Sequence, residues 1–395
     1  MNKKLRMAIV VSHPIQHFCP QYSSFAEDDS VELKVFFAST LGFRQYHDPN
    51  FGEVISWNNL KLDSFNHEFL NNGEVILANK NIDAPELELV LKNFNPDIVV
   101  IYGYFQKLQR RAFKWSKNNK VPIAYISDSE RKRNKNRIAE ILKYPFLYKF
   151  FSQIQFFLTV GDSNEAYYRY YGVSIEKFIR MHFPIDINLY RESYIKKSVI
   201  KSTLRACFNI GDEEIVLTVV GKLVEWKNQG DIIDTMILLE NEKVILHLFI
   251  IGSGRMMETL KGKAQKLTKS KVFFIGFVQP EELPAFYAAS DIYIHPASLE
   301  PHSLAISEAI FMGCPIIISN KCGSYGPTDD VNIDKNGLVY ACGNIKELSE
   351  KIKILSADQA MRKRFGETSH SNAQKFQDQS HSGVLKKIRS TIKYV

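Results

Sequence analysis

The stretch Asp291-Ile-Tyr-Ile-His295-Pro-Ala-Ser-Leu-Glu300-Pro-His-Ser-Leu-Ala-Ile-Ser-Glu308-Ala-Ile-Phe-Met-Gly313-Cys-Pro315 reads as strand, loop and helix in direct succession. Ile292–His295 is a short apolar run of the kind that forms a buried strand. Ser303 has the chemistry of a helix N-cap, and Gly313 with Pro315 that of a stop. The helix between, Leu304–Met312, is apolar nearly all round, as buried helices are. Glu308 in its middle then needs a partner, because an unpaired buried carboxylate costs on the order of several kcal/mol. Two adjacent ribose hydroxyls would suit it, since two donors match the two oxygens of one carboxylate. A narrow solvated stripe of Ser307 and Glu308 is the other reading, and this helix alone leaves both open. Glu300 stands just before the helix, whose free backbone N–H groups near His302, Ser303 and Leu304 form an anion site.

The same alternation of strand and helix extends in both directions. Early strands read as Met7–Val11, Val31–Phe37, Asp97–Tyr102, Pro122–Ile126 and Phe156–Val160, with helical patterns at Pro85–Phe94, Phe105–Lys117 and Ser163–Tyr171. A boundary falls near His182-Phe183-Pro184-Ile185-Asp186, followed by a polar, basic stretch from Arg191 to Ser202 that reads as a linker. Strands then return at Ile215–Val220, Val244–Ile251, Val272–Ile275, Ile292–His295 and Pro315–Ser319, with helices at Gln229–Leu239, Met256–Leu267, Glu281–Ala289 and Ile345–Leu355. This predicts an α/β protein with two Rossmann-like domains, over residues 1–190 and 205–370, and a basic C-terminal helix over 371–395 that packs back on the amino-terminal domain. Ligands in such folds sit outside the carboxyl ends of the strands, and two domains offer a cleft between them.

Composition fits that picture. In 395 residues, 45% hydrophobic and 24% charged is the balance of a globular protein, which excludes a disordered tail, a collagen-like fibre and a disulfide mini-scaffold. Net charge +8 suggests anionic company without choosing among phosphates, membrane and nucleic acid. Five widely spaced cysteines with no C-x-x-C pair suggest neither a zinc knuckle nor a redox motif, and a reducing compartment is the simple inference. The apolar run Met7–Val11 is too short for a signal-peptide core and reads as a first strand, so a cytoplasmic location is expected.

Further segments carry charge to strand ends. Ile215–Val220 runs into Gly221, and Lys222 and Lys227 follow five apart, a spacing that can aim two ammoniums at one diphosphate; ordinary surface lysines are the bland reading. Gly252-Ser-Gly254 is a glycine turn after a strand but lacks the third glycine of a dinucleotide fingerprint.

Taken in order, Gly221-Lys-x4-Lys227, Gly252-Ser-Gly254, Val272-Phe-Phe-Ile-Gly276-Phe-Val, the run Ser290–Ser298, Glu300-x7-Glu308-Ala and Asn336-Gly-Leu resemble the family-4 retaining glycosyltransferases of the GT-B fold. The resemblance covers roughly residues 200–355, about one compact domain. It implies a nucleotide-sugar donor: Glu308 on the ribose, Glu300 on the donor sugar, Lys222 and Lys227 on the diphosphate, and the amides around His302, Ser303 and Leu304 on sugar hydroxyls and phosphate. Gly221, Gly252, Gly276 and Phe277 complete the donor set it implies. No metal and no other cofactor is implied, because lysines and a helix terminus stabilise the leaving diphosphate. The chain departs from the family pattern at Lys222, where Arg is usual, at Ser303, where Gly is usual, at Ser12-His-Pro-Ile-Gln-His17 after the first strand, where a Gly-rich turn is common, and at Ser127-Asp-Ser-Glu130, where a His is common.

His13 and His17 lie four apart, but Pro14 between them and the lack of a nearby Glu argue against zinc. They read instead as cleft-facing contacts to acceptor or donor sugar, or as plain structural residues. Asp128 reads as a cleft hydrogen-bond acceptor, or with Glu130 as a chance acidic pair. Glu130–Phe151 mixes Arg131, Lys132, Arg133, Lys135, Arg137, Lys143 and Lys149 with five aromatics. Such a mixture suits an anionic membrane face, while RNA or a solvated face with core aromatics remain alternatives. The expected partners are thus a nucleotide-sugar donor, a glycan or lipid-linked acceptor and an anionic membrane surface, with no nucleic acid. The competing functions are a nucleotide-sugar 2-epimerase of the same layout and a non-catalytic nucleotide-sugar-binding protein.

Overall fold

The structure, a computed structural model, describes residues 3–48, 53–57, 60–131 and 137–392. In its first half the strands are β1 (Leu5–Val11), β2 (Val31–Phe37), β3 (Tyr46–Asp48), β4 (Glu53–Ile55), β5 (His67–Phe69), β6 (Ile98–Tyr102), β7 (Ile123–Ile126), β8 (Phe156–Thr159) and β9 (Phe178–Arg180). All but β3 and β4, which pair as a small antiparallel hairpin, form one sheet in the order β5-β2-β1-β6-β7-β8-β9. Its pairings are parallel, with Ile9 opposite Val35 on one side and Val100 on the other. Central β1 shows why the run forms a doubly buried strand. Met7, Ile9 and Val11 pack into one core layer and Ala8 and Val10 into another, so both faces are covered and no polar alternation is needed.

The second half repeats the plan with β10 (Ile215–Val220), β11 (Leu246–Ile251), β12 (Lys271–Gly276), β13 (Ile292–His295), β14 (Ile316–Ser319) and β15 (Gly337–Tyr340). These form a parallel sheet in the order β12-β11-β10-β13-β14-β15. In both sheets the first strand sits in the middle, so the order reverses beside it: between β1 and β6, and between β10 and β13. Such reversal points leave a crevice outside the strand ends, where helices depart on opposite faces. The two-domain α/β architecture expected from the sequence is the one observed.

Local departures have physical reasons. Arg191–Ser202, read as a linker, lies within two helices, Ile187–Ile195 and Lys197–Cys207. Their charged residues hid the pattern because two of them face inward with dedicated partners. The Arg205 guanidinium is buried and donates to the Ala289 carbonyl and to Asp291, and Lys197 Nζ donates to the Met312 carbonyl at 2.6 Å. Residues 137–152, read as a basic and aromatic surface or as a solvated face with core aromatics, form a helix with Pro145 inside it. Ser303 precedes the helix Leu304–Phe311 as expected, but its hydroxyl makes no cap; its N–H donates instead to Ser324 Oγ at 2.9 Å. From the C-terminal helix Val384–Ile392, the side chains of Val384, Leu385 and Ile388 pack into the core of the amino-terminal sheet beside Leu5 and Met7.

Candidate active site

The chain after β2 leaves the amino-terminal sheet and reaches across to the other domain. Asp48 of β3 pairs with Lys222 at 3.0 Å, Gln279 Nε2 donates to the Ser56 carbonyl at 3.5 Å, and the Trp57 and Phe277 rings lie 5.8 Å apart. Beneath this bridge is a cavity of about 400 Å³, walled by the carboxyl ends of β10, β11 and β12 and by the loop and helix after β13. Gly221, Lys222, Lys227, Gly252, Phe277, Glu300, His302, Ser303, Leu304 and Glu308 all line it. Nearly every residue of the donor set that the resemblance implies thus lines one hollow. Gly276 belongs to the same turn, its carbonyl accepting from Gly252 N at 2.8 Å. Gly252 has φ +130°, and a Cβ there would stand 2.1 Å from the Gly221 carbonyl oxygen, so the two strand-end loops approach closely only because a glycine is present.

The two carboxylates are in contrasting surroundings. Glu300 is ion-paired with Lys227, and His295 Nε2 lies 3.5 Å from the same oxygen. Burial opposes its ionisation, but the contact with His295 and the Lys227 charge outweigh that and hold its carboxyl at about 2. Glu300 is therefore an anion at neutral pH. Glu308 is buried within the helix Leu304–Phe311 and accepts from the Tyr287 hydroxyl at 2.8 Å. Burial pushes its carboxyl up to about 7, and the tyrosine bond only partly counters it. The solvated-stripe reading of Ser307 and Glu308 fails, since both are buried. Glu308 has the partner its setting demands, although Tyr287, twenty-one positions earlier, carries no signal of that role in the sequence.

Glu308 also borders a second hollow of about 310 Å³ lined by Gln16, His17, Tyr190 and Pro280. Both amino-terminal histidines are partly buried. Burial alone lowers His13 to about 4; burial and then the charge of His13 lower His17 to about 4. They are neutral rings, with His13 Nδ1 2.9 Å from Ser12 Oγ and His17 packed on Phe18 and Phe183. Asp128 is exposed after β7 and lines neither hollow. Of the basic segment, residues 132–136 lie outside the described residues. Among the described residues no cluster of three or more His, Cys, Asp or Glu is placed to hold a metal, and no helix is long and apolar enough to cross a membrane.

Behind the first turn of the helix Leu304–Phe311 lies a charged array the sequence reading missed. Asp330 accepts from Ser307 Oγ at 2.7 Å and lies 3.1 Å from His302 Nε2 and 2.9 Å from His182 Nδ1. Its neighbour Asp329 accepts from the Asp162 N–H at 2.8 Å. Arg180 bonds Glu165, Asp162 and the Thr328 carbonyl. The only prior hint was an acidic pair in a loop, which by itself indicates nothing.

Two facing parallel-sheet domains with a cleft at the reversal point of the second sheet are the architecture of the GT-B fold. Residues 201–371 match the family model of glycosyl transferases group 1. A stretch of 140 residues, 35% of this chain, is 31% identical to an uncharacterized glycosyltransferase of Methanocaldococcus jannaschii, covering 34% of that protein. Another of 205 residues, 48% of the chain, is 29% identical to alpha-monoglucosyldiacylglycerol synthase of Streptococcus pneumoniae, covering 46% of it. The chain thus matches less than half the length of these two relatives. At the level of fold, it is similar over 99% of its length to all of Anabaena HepE, a structure with UDP and glucose, at TM-score 0.66 and 15% identity.

Proposed function

We propose that the protein is a retaining glycosyltransferase that needs no metal and moves a sugar from a nucleotide-sugar to a glycan or lipid-linked acceptor in cell-surface polysaccharide or glycoconjugate assembly. One observation carries the reading: Glu300, Glu308, Lys222, Lys227 and the start of the helix Leu304–Phe311 wall a single cleft cavity. Glu308 holds the ribose hydroxyls and Glu300 the sugar. Lys227, now tied to Glu300, and Lys222, now tied to Asp48, exchange those carboxylates for the diphosphate. As the C1–O bond to phosphate breaks, negative charge grows on the leaving oxygens, where fixed ammoniums and helix N–H groups lower the barrier. The acceptor hydroxyl attacks C1 on the same face and passes its proton to the departing phosphate oxygen, so the anomeric configuration is kept. The neutral His17, which borders the second hollow, faces the acceptor side.

Anomer-resolved NMR of the product, with and without a chelator, tests the reaction; inverted product or activity lost with the chelator sinks the corresponding part. Donor incubated without acceptor identifies an epimerase, which hydrolyses or isomerises it alone, and loss of Glu300 that changes nothing measurable in turnover identifies a binding protein.

We further place the enzyme on an anionic bilayer. On the helix Arg137–Ser152 the aromatics Phe150 and Phe151 are core, whereas Ile138, Ile141, Leu142, Pro145 and Phe146 form an exposed stripe at helical spacing, with Lys143 and Lys149 exposed on the same helix. Vesicles containing phosphatidylglycerol should float the native protein and not Ile141→Asp/Phe146→Asp; equal flotation of both ends the membrane proposal.

A further inference from the structure

Among the buried polar atoms beside the cleft that have no hydrogen-bond partner, His302 Nδ1 and Asp329 Oδ1 face each other across 3.9 Å. The His302 ring cannot turn to relieve this. Its Nε2 lies 3.1 Å from Asp330, and the ring stands edge-on to Phe183 at 4.9 Å, interplanar angle 89°. A neutral ring with its proton on Nε2 would set a bare lone pair against a carboxylate oxygen in a buried setting, which is unfavourable; burial pushes the Asp329 carboxyl up to about 7, so at neutral pH this contact is relieved by a proton on Asp329 or by a second proton on the ring. A proton on both nitrogens turns the same geometry into an imidazolium between two carboxylates.

We propose that His302 acts as a third cation of the nucleotide cleft, and that Asp329 and Asp330 are the positioning residues that keep it charged and aimed. The proposal rests on the nucleotide-sugar reading of that cleft. His302 lines the cavity immediately before Ser303 and the N-terminus of the helix Leu304–Phe311, so its charge adds to the helix-end field an anion meets there. The groups facing it are Asp329 and Asp330 from the loop before Asn332, His182 and Arg180 from the end of β9 and the chain after it, and His295 from β13. Arg180 opposes the charge, but Glu165 and Asp162 already hold its guanidinium at 2.9 and 2.8 Å. Burial also opposes it, and the two aspartates together hold the ring above the ordinary histidine range. Because Asp330 bonds His182 as well as His302 and Ser307, one carboxylate joins the interdomain chain, the cleft loop and the donor helix.

Uridine diphosphate and guanosine diphosphate, titrated calorimetrically into the full chain from pH 5.5 to 8.5, test this beside NMR titration of 13C-labelled histidine rings, with His302→Gln identifying the His302 signal. The His302 ring should titrate above the ordinary value. His302→Gln should weaken diphosphate binding about tenfold at low pH, the size of one charge-assisted hydrogen bond, and the gap to native protein should narrow as pH rises and the native ring loses its proton. Asp330→Asn should lower the ring's titration and move the binding transition with it. Asp329→Asn, which leaves all three Asp330 bonds in place, should do the same and serves if Asp330→Asn does not fold. Should native protein bind neither diphosphate, the donor reading falls and this role falls with it. Should native protein bind while His302→Gln binds equally at every pH, or should the native ring titrate at or below the ordinary value, the donor reading stands and the third cation is refuted.

Discussion

At the reversal point of the carboxyl-terminal sheet the chain ends β10 and β13 in Gly221-Lys222 and His295, with Glu300 and a helix start close by, and leaves a cavity between them. At the corresponding point of the amino-terminal sheet it plugs the crevice. There the buried Gln109 donates to the Val10 carbonyl at 3.1 Å and accepts from the Tyr102 N–H at 3.0 Å, stitching β1 to β6, and Tyr102 bonds Tyr22 at 2.7 Å. One strand order therefore yields two kinds of strand end. The carboxyl-terminal one is built from charges and a close-approach glycine, which suits an anion; the other is built from neutral rings and hydroxyls, which suits uncharged sugar hydroxyls. Topology supplies the location of a crevice, and the side chains that fill or vacate it decide its chemistry.

The largest way to break that contrast is to remove a charge from the carboxyl-terminal side. Lys227→Ala should lower turnover by about two to three orders of magnitude at saturating donor, the scale for losing one preorganised group at a developing charge. His17→Ala, on the neutral side, should instead lower the acceptor-dependent rate about tenfold or less and keep nucleotide affinity within about twofold, since it removes at most a neutral hydrogen bond. Near-native turnover in Lys227→Ala, or nucleotide affinity lost in His17→Ala, would erase the difference between the two ends.

Glu308 sharpens the contrast through stability. Its folded value of about 7 lies above the unfolded value of 4.5, so the folded state holds the proton more tightly and stability falls as pH rises between those values. Above pH 7 the ionised, buried carboxylate costs about 3 kcal/mol on this arithmetic. Glu308→Gln keeps an acceptor for Tyr287 and has no charge to bury. Its melting midpoint should exceed that of native protein by several degrees at pH 8, with the gap shrinking toward pH 4.5. Nucleotide affinity should fall at the same time, because the amide offers one acceptor oxygen where two ribose hydroxyls need two. A variant no more stable than native at pH 8 would show that the site does not store this cost for ligand.

How much of this the sequence discloses depends on whether neighbours in space are neighbours in chain. The buried runs Met7–Val11 and Ile215–Val220 and the apolar helix from Leu304 are local patterns, and the structure has them within a residue or two. The acid pair Glu300 and Glu308 lies in one short segment and is legible for the same reason. Asp48, Trp57, Tyr287, His182 and Asp330 act through partners between 21 and 220 positions away, and nothing in their own surroundings marks them. Short strands such as β5 and β9 escape notice because three residues carry no period. The helix Arg137–Ser152 misleads because its apolar residues occupy both its faces, one against the core and one against solvent.

The finest test concerns the contact that joins the two ends. Asp48 reaches from the amino-terminal domain to Lys222, so a carboxylate of the neutral side occupies a cation of the charged side. Any diphosphate using Lys222 competes with it. Asp48→Asn removes the competing charge while keeping the size of the side chain, so nucleoside diphosphate affinity should rise a few-fold, in line with the 0–1 kcal/mol typical of a partly exposed pair. Without ligand the same change should lower the melting midpoint by a degree or two, because the interdomain contact is weakened. Both effects should fade at high salt, which screens a pair whose lysine is 31% exposed. Affinity that falls instead would mean that Asp48 holds Lys222 in its ligand-binding pose, making the bridge part of the anion site rather than its rival.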